Sequence, residues 1–208
     1  EDNKGVIEDI LPRKNELYRP RVANVTTVLI VLANDRPKPS LSLLDRLLFL
    51  AYYNSIKPCI IINKSDLDED ENALLIRNYY PKLGINVVNT STKTKQGIDL
   101  LKDLIKDETA VLAGPSGVGK SSLLNLLVEG INIKTQEVSN KIGRGKHTTR
   151  HVELFTTKNG GLIADTPGFS VLDLPKIEKN ELAEYFPDLS PYSTYCKFND
   201  CLHWKEKD

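Results

Sequence analysis

The stretch Ile62–Asp70, INKSDLDED, closes an apolar run with Asn-Lys-x-Asp, and about fifty residues later Gly114–Ser122 reads GPSGVGKSS. Each is a nucleotide-binding signature. A guanine-reading Asn-Lys-x-Asp ordinarily follows a phosphate loop, and here it precedes one. Either one match is an accident, or the chain is a GTP-binding fold whose segments are joined in a different order.

The second stretch fits G-x-x-x-x-G-K-[ST] at Gly114, Gly119, Lys120 and Ser121. Its backbone, from Gly114 through Pro115, Ser116, Gly117 and Val118 to Gly119, is of the kind that curls until its N–H groups converge on phosphate oxygens at a helix N-terminus. Lys120 would reach the β- and γ-phosphates, the Ser121 hydroxyl would bind Mg²⁺, and Ser122 completes the nucleotide-contacting run. An apolar AVLA precedes the loop and SSLLNLL follows it, as a strand-to-helix turn requires.

In the first stretch the Asp66 carboxylate has two acceptors for guanine N1–H and the exocyclic amine, a pair of donors that adenine does not offer. A site built for those donors rejects a base that leaves it unpaired. Asn63 would contact the base and tie neighbouring loops, and the Lys64 stem would cover the ring. NTSTK, Asn89–Lys93, also ends an apolar run, and backbone N–H groups near Ser91 and Thr92, with Lys93 beside them, would meet the guanine oxygen. Downstream of the phosphate loop, GLIADTPG places Asp165 at the end of another apolar run. There it can hold Mg²⁺ through water, with the Gly168 N–H on the γ-phosphate. The order is base loop, second base loop, phosphate loop, then Asp-x-x-Gly. Rotating the sequence restores the ordinary order, so a circular permutation accounts for every element. Domain termini that lie close in space make such a rejoining tolerable.

Apolar runs at Val25–Ala33, Pro58–Asn63, Ile85–Ser91, Thr109–Gly114, His151–Thr157 and Gly161–Asp165 read as strands. Gly5–Leu11 is one more strand-like run. Helical periodicity fills Leu41–Asn54 behind a Ser40 N-cap, Glu71–Leu83, Ile98–Lys106 and Lys120–Val128. This alternation predicts an α/β fold with a mostly parallel sheet flanked by helices. After Pro175 the strands stop, and a short helical pattern, Glu178–Tyr185, leads to a loop holding Cys196, Cys201 and His203.

The 28 basic and 28 acidic residues cancel, so bulk charge argues for no nucleic-acid partner, and any such argument must be local. No apolar run approaches a membrane span and no charged-then-apolar leader opens the chain; the expectation is a cytoplasmic monomer without membrane contact. An opening without Met, in a sequence with no Met at all, suggests a fragment of a longer protein. Cys59, in KPCIII, reads as a buried thiol. Cys196, Cys201 and His203 suit tetrahedral Zn²⁺ or, equally on spacing alone, form a loop with two unligated thiols.

RVANV (21–25), LLDR (43–46), NKSDL, GPSGVGKSSLLN, GRGKHTTRHVEL (143–154), ADTPGF (164–169), FPDL (186–189) and CKFNDCLH (196–203) together resemble the circularly permuted GTPases of ribosome assembly, specifically the small-subunit biogenesis GTPases of the RsgA family. The resemblance spans essentially the whole chain. It implies a permuted P-loop GTPase domain over residues 21–174, with residues 1–20 as the tail of a mostly missing N-terminal OB-fold. Residues 175–208 would be a small helical zinc-binding domain. Its zinc pattern, Cys-x₄-Cys-x-His-x₅-Cys, makes Cys196, Cys201 and His203 three of four ligands, the fourth due just past Asp208. The implied cofactors are GTP/GDP, Mg²⁺ and Zn²⁺, and the implied partner is the small ribosomal subunit with its rRNA. The implied activity is slow GTP hydrolysis, stimulated by that subunit and driving release from it.

Phe169 stands where many GTPases place a water-orienting Gln, and its side chain cannot position water. His147 is the nearest substitute, or else a residue facing RNA or solvent. Thr148 or Thr149 would supply the second Mg²⁺ ligand. Arg144, Lys146, His147 and Arg150 form a basic run able to touch RNA phosphates. Two other functions fit part of the pattern: an ATPase or kinase using the same phosphate grip, and an RNA-binding module that holds nucleotide without hydrolysing it.

Overall fold

Seven consecutive residues, Thr27–Ala33, are buried on both faces and form the central strand β3, whose alternate side chains feed two separate cores. Val28, Ile30 and Leu32 pack with Leu44, Leu47 and Ile76 on one side. Leu29, Val31 and Ala33 pack with Leu101, Leu123 and Leu127 on the other. A continuously apolar strand is what two-sided covering demands, because period-2 alternation sends neighbours to opposite faces. The computed structural model describes residues 7–10, 12–17, 22–128, 152–165, 174–198 and 201–202.

The short strands β1 (Glu16–Leu17) and β2 (Val22–Ala23) pair antiparallel ahead of the main sheet, and Leu17 and Val22 pack into the first core. After β3 come α1 (Leu41–Tyr53), β4 (Lys57–Asn63), α2 (Glu71–Tyr79), a 3₁₀ turn (Tyr80–Leu83), β5 (Asn86–Asn89), α3 (Ile98–Leu104), β6 (Thr109–Ala113) and α4 (Lys120–Leu127). Strands β7 (Glu153–Thr156) and β8 (Leu162–Asp165) follow. The six-stranded sheet has the order β5-β4-β3-β6-β8-β7. All pairings are parallel except β7 with β8. Helices α1 and α2 cover one face, α3 and α4 the other. The carboxyl ends of five parallel strands therefore lie along one edge, where ligands of open α/β sheets bind.

The Ser40 cap is present: its hydroxyl accepts from the Leu43 N–H at 3.3 Å. Three expectations are corrected. Residues 7–10 of the Gly5–Leu11 run form no strand; Gly5, Val6 and Leu11 lie outside the described residues. The expected helix Glu71–Leu83 splits at Tyr80, because Pro81 has no N–H to continue the ladder, and the last turn tightens to 3₁₀. The strand expected from Val25 begins at Thr27, since Val25 bonds instead to the Asn15 side chain, its N–H donating to Oδ1 at 2.9 Å and its carbonyl accepting from Nδ2 at 2.7 Å. His151, the first residue of another expected strand, is also outside the described residues.

Beyond β8 the described residues hold a 3₁₀ helix at Lys179–Tyr185 and a single turn, α5 (Ser190–Ser193), but no strand. The 3₁₀ helix docks on α1 through aromatic rings. Phe49 meets Tyr185 edge-on at 5.4 Å and stacks on Phe186 at 6.4 Å, while Tyr53 lies 5.5 Å from Tyr185. Tyr79 of α2 donates its hydroxyl to Asp188 at 3.0 Å. Among the described residues no helix is long and apolar enough to cross a membrane.

Candidate functional site

Strand β6 runs into a turn that only glycine permits at two points. Gly114 has φ 128° and Gly119 φ 98°, and a Cβ would overlap the Val31 carbonyl at the first and the Asn63 amide at the second. Gly117, with φ 81°, gives the turn its third left-handed residue. Pro115, Ser116 and Val118 complete the curl, with the Val118 side chain buried in the second core. Lys120 opens α4, with Ser121 and Ser122 next in its first turn. The Lys120 ammonium folds back over the loop, donating to the carbonyls of Gly114 at 2.8 Å and Pro115 at 2.7 Å. The chemistry is that of a phosphate cradle: a cation poised over a glycine-built curl at a helix start.

Asn63 joins that cradle to the base loops. It is fully buried at the end of β4, where its Nδ2 donates to the Val118 carbonyl at 2.8 Å and its Oδ1 accepts from the Thr90 hydroxyl at 3.1 Å. One side chain thus pins the base turn, the phosphate loop and the second base loop together. The loop-tying expected of Asn63 is met within the protein itself. Lys64 turns the chain at φ 59° and donates its ammonium to the Arg36 carbonyl.

Asp66 is exposed, and its Oδ1 accepts from the Ser91 hydroxyl at 2.6 Å. That hydrogen bond is the first reason its carboxyl is held below the ordinary carboxylate range; desolvation opposes it, and its own backbone N–H and the charges of Lys93 and Lys64 add to the lowering. The acceptor is therefore ionised wherever the fold is intact near neutrality. Ser91 is buried, and its hydroxyl in turn accepts from the Thr94 N–H at 3.1 Å, while Thr92 and Lys93 form the turn beyond. The two base loops leave neighbouring parallel strands, paired Ile62 with Asn89, and this brings Asp66 and Ser91 together.

Asp165 ends β8 beside the cradle, one residue past the Val111–Ala164 pair of the β6–β8 ladder. Gly168, His147, Thr148, Thr149, Phe169 and the basic run around Lys146 lie outside the described residues. Cys196 and Cys201 lie in the loop beyond α5, both half-buried, and His203 is outside the described residues. Among the described residues no cluster of three metal-ligating side chains forms.

Sequence reasoning passed over Asn34, Arg77 and Gln96. Asn34 follows the last residue of β3, which pairs with Asn63, and donates through its side chain to the carbonyls of Leu67 and Asp68. Gln96 accepts the Ser91 N–H on its carbonyl at 3.1 Å and meets the Ser65 hydroxyl at 3.4 Å. The one signal for Asn34 is its position, a buried polar residue at the carboxyl end of a strand beside the base loop.

A family model described as RsgA GTPase matches residues 10–175. A protein named "Small ribosomal subunit biogenesis GTPase RsgA" from Moorella thermoacetica is 51% identical over 203 residues, covering 98% of this chain and 70% of the relative. Its namesake from Carboxydothermus hydrogenoformans is 51% identical over 205 residues, with 99% and 70% covered. Among solved structures, YjeQ from Thermotoga maritima superposes with a TM-score of 0.80 at 36% identity, covering 97% of this chain and 68% of that one. YloQ, described as a circularly permuted GTPase, superposes with a TM-score of 0.79 at 41% identity, covering 99% and 67%.

Proposed function

The chain belongs to the RsgA GTPase family, and on that premise we propose that one site, assembled by Asn63, grips a guanine nucleotide at both ends. The protein is a GTP hydrolase of small ribosomal subunit biogenesis, acting with GTP and Mg²⁺. The observation that carries the site assignment is the Asn63 side chain, which bonds the base turn to the phosphate loop and the second base loop at once.

In this reading Asp66 takes the two guanine donors, and backbone groups near Ser91 and Thr92 take the guanine oxygen. The N–H groups of 116–119 hold the phosphates, and Lys120 swings from its loop carbonyls onto the β- and γ-phosphates. The Ser121 hydroxyl and Asp165 would hold Mg²⁺, the first in the opening turn of α4 and the second on the strand beside it, and the metal would neutralise charge on the phosphate oxygens. Gly168 would contact the γ-phosphate and Thr148 or Thr149 would complete the Mg²⁺ shell. With Phe169 unable to orient water, His147 is our candidate for that role.

Hydrolysis would drive release from the small subunit, with its rRNA the surface gripped. Residues 21–174 would form the GTPase domain, 1–20 the tail of an OB-fold and 175–208 a zinc domain. The donor set of that domain, two thiols in one loop followed by an imidazole at zinc spacing, fits Zn²⁺. Hydrolysis of GTP should rise with small subunits and not with large ones, and Lys120→Ala should abolish it. Equal stimulation by both subunits, or ATP competing as well as GTP, would overturn the reading.

A further inference from the structure

The turn carrying Asp66 and the loop carrying Ser91 leave separate strands, and two residues outside both loops bind them to one another. Asn34 is 2% exposed. Its Nδ2 donates to the Leu67 carbonyl at 2.8 Å and the Asp68 carbonyl at 3.0 Å, and its backbone N–H donates to the Asn63 carbonyl at 2.7 Å. Its Oδ1 accepts from Arg77 Nη2 at 2.7 Å. Arg77, reaching up from α2, also pairs with the Glu69 carboxylate and donates from Nε to Asn89 Oδ1 at 2.5 Å. One guanidinium therefore spans β3, the base turn and the end of β5.

We infer that Asn34 and Arg77 form a brace that sets guanine selectivity by fixing the Asp66 turn against the second base loop. The inference rests on the nucleotide site argued above. The brace holds residues at the site edge: Leu67 and Asp68 follow Asp66 directly, and Asn89 opens the Ser91 loop. Asp66 itself is exposed, and its own link to the second base loop is the single bond from the Ser91 hydroxyl. To accept both N1–H and the exocyclic amine it must be held in direction as well as place, since hydrogen bonds weaken steeply off axis. Without Asn34 the two turn carbonyls lose their buried donor, and the turn relaxes to find water. A lysine at 77 would keep the charge but cannot span three acceptors, which only the planar fork reaches. Asn34 and Arg77 touch no nucleotide in this account; they are positioning residues.

The test compares GDP and IDP, which lacks the exocyclic amine, as competitors for a fluorescent guanine nucleotide on the full chain. Wild type should favour GDP over IDP. In Asn34→Ala and in Arg77→Lys the GDP affinity should fall about tenfold, the cost of a buried polar group losing its partner. The GDP/IDP ratio should collapse toward one, and saturating GTP should still turn over at the wild-type rate. Arg77 is partly exposed, so Arg77→Lys keeps the test open if Asn34→Ala does not fold. Reduced affinity with an unchanged GDP/IDP ratio, or wild-type selectivity in Arg77→Lys, would overturn the brace. A wild type that binds ADP as well as GDP would instead sink the nucleotide assignment beneath it.

Discussion

At the scale of single residues, the proposed site rests its selectivity on one exposed carboxylate, Asp66, whose ionised form is favoured by its Ser91 neighbour. Asp66→Asn should weaken GDP by roughly a hundredfold or more and shift preference toward xanthine nucleotides, because an amide presents a donor where the base also has one; competition binding reads this directly. The Ser91 hydroxyl, first among the groups that hold the Asp66 carboxyl below its usual range, adds a pH signature. A carboxylate with a depressed folded-state pKa contributes fully above its unfolded value, and that contribution is lost only as pH falls through the lower folded value. GDP binding should therefore hold down toward the ordinary aspartate pKa of about 3.9. Ser91→Ala should move the acid limb to higher pH, and coincident limbs in the two proteins would contradict the pairing. Asp66, Asn63 and Ser91 were legible because their chemistry comes packaged in short motifs at strand ends. Asn34 and Arg77 were not, because their partners are carbonyls and amides brought in by the fold. A lone arginine on a helix such as α2 carries no motif that would single it out.

Elements were legible where one residue type decides their limits. The phosphate turn was read from its glycines, and the structure supplies the reason: the left-handed φ of Gly119 and the Asn63 amide beside it leave no room for a Cβ. Gly119→Ala should therefore abolish nucleotide binding and lower Tm together, since the methyl displaces the amide that ties three loops. Retained GDP affinity in that variant would show the turn to be more plastic than its geometry implies. Ser40→Ala, by contrast, removes only a cap and should cost about 0.5–2 kcal/mol in denaturant unfolding, with GDP affinity unchanged. Limits were misread where a distant contact or a missing donor intervened. Pro81 broke the ladder of the second helix, and Asn15 drew Val25 away from the central strand.

For the whole molecule, a sheet of order β5-β4-β3-β6-β8-β7 can tolerate a permutation because each pairing depends on local register and burial, not on which segment is synthesised first. What the sequence could not disclose was the docking of the C-terminal segment on α1, since no period links Phe49 to Tyr185 and Phe186. Two experiments address that segment. Cys59, its thiol pushed up to about 11 by burial, should resist alkylation in the native state near neutral pH. If Cys196 and Cys201 hold zinc, a chelator should expose two further reactive thiols and shift the emission of the single Trp, Trp204; a thiol count unchanged by chelation would count against zinc. The second experiment asks whether the segment feels the nucleotide. Along the sequence Gly168 stands between Asp165 and the 3₁₀ helix at Lys179–Tyr185, so a γ-phosphate held at Gly168 would act on the segment leading to that helix. The helix is not free to follow, because the Phe49, Tyr185 and Phe186 rings hold it to α1 and Tyr79 holds Asp188. A pull that reaches the helix would load this aromatic contact. Hydrogen exchange over Lys179–Tyr185 should be faster with a non-hydrolysable GTP analogue than with GDP. Phe49→Ala should raise exchange in both states and erase the difference, because the strained contact is then gone. Equal exchange in the two states of the wild-type chain would mean that this segment does not sense the nucleotide.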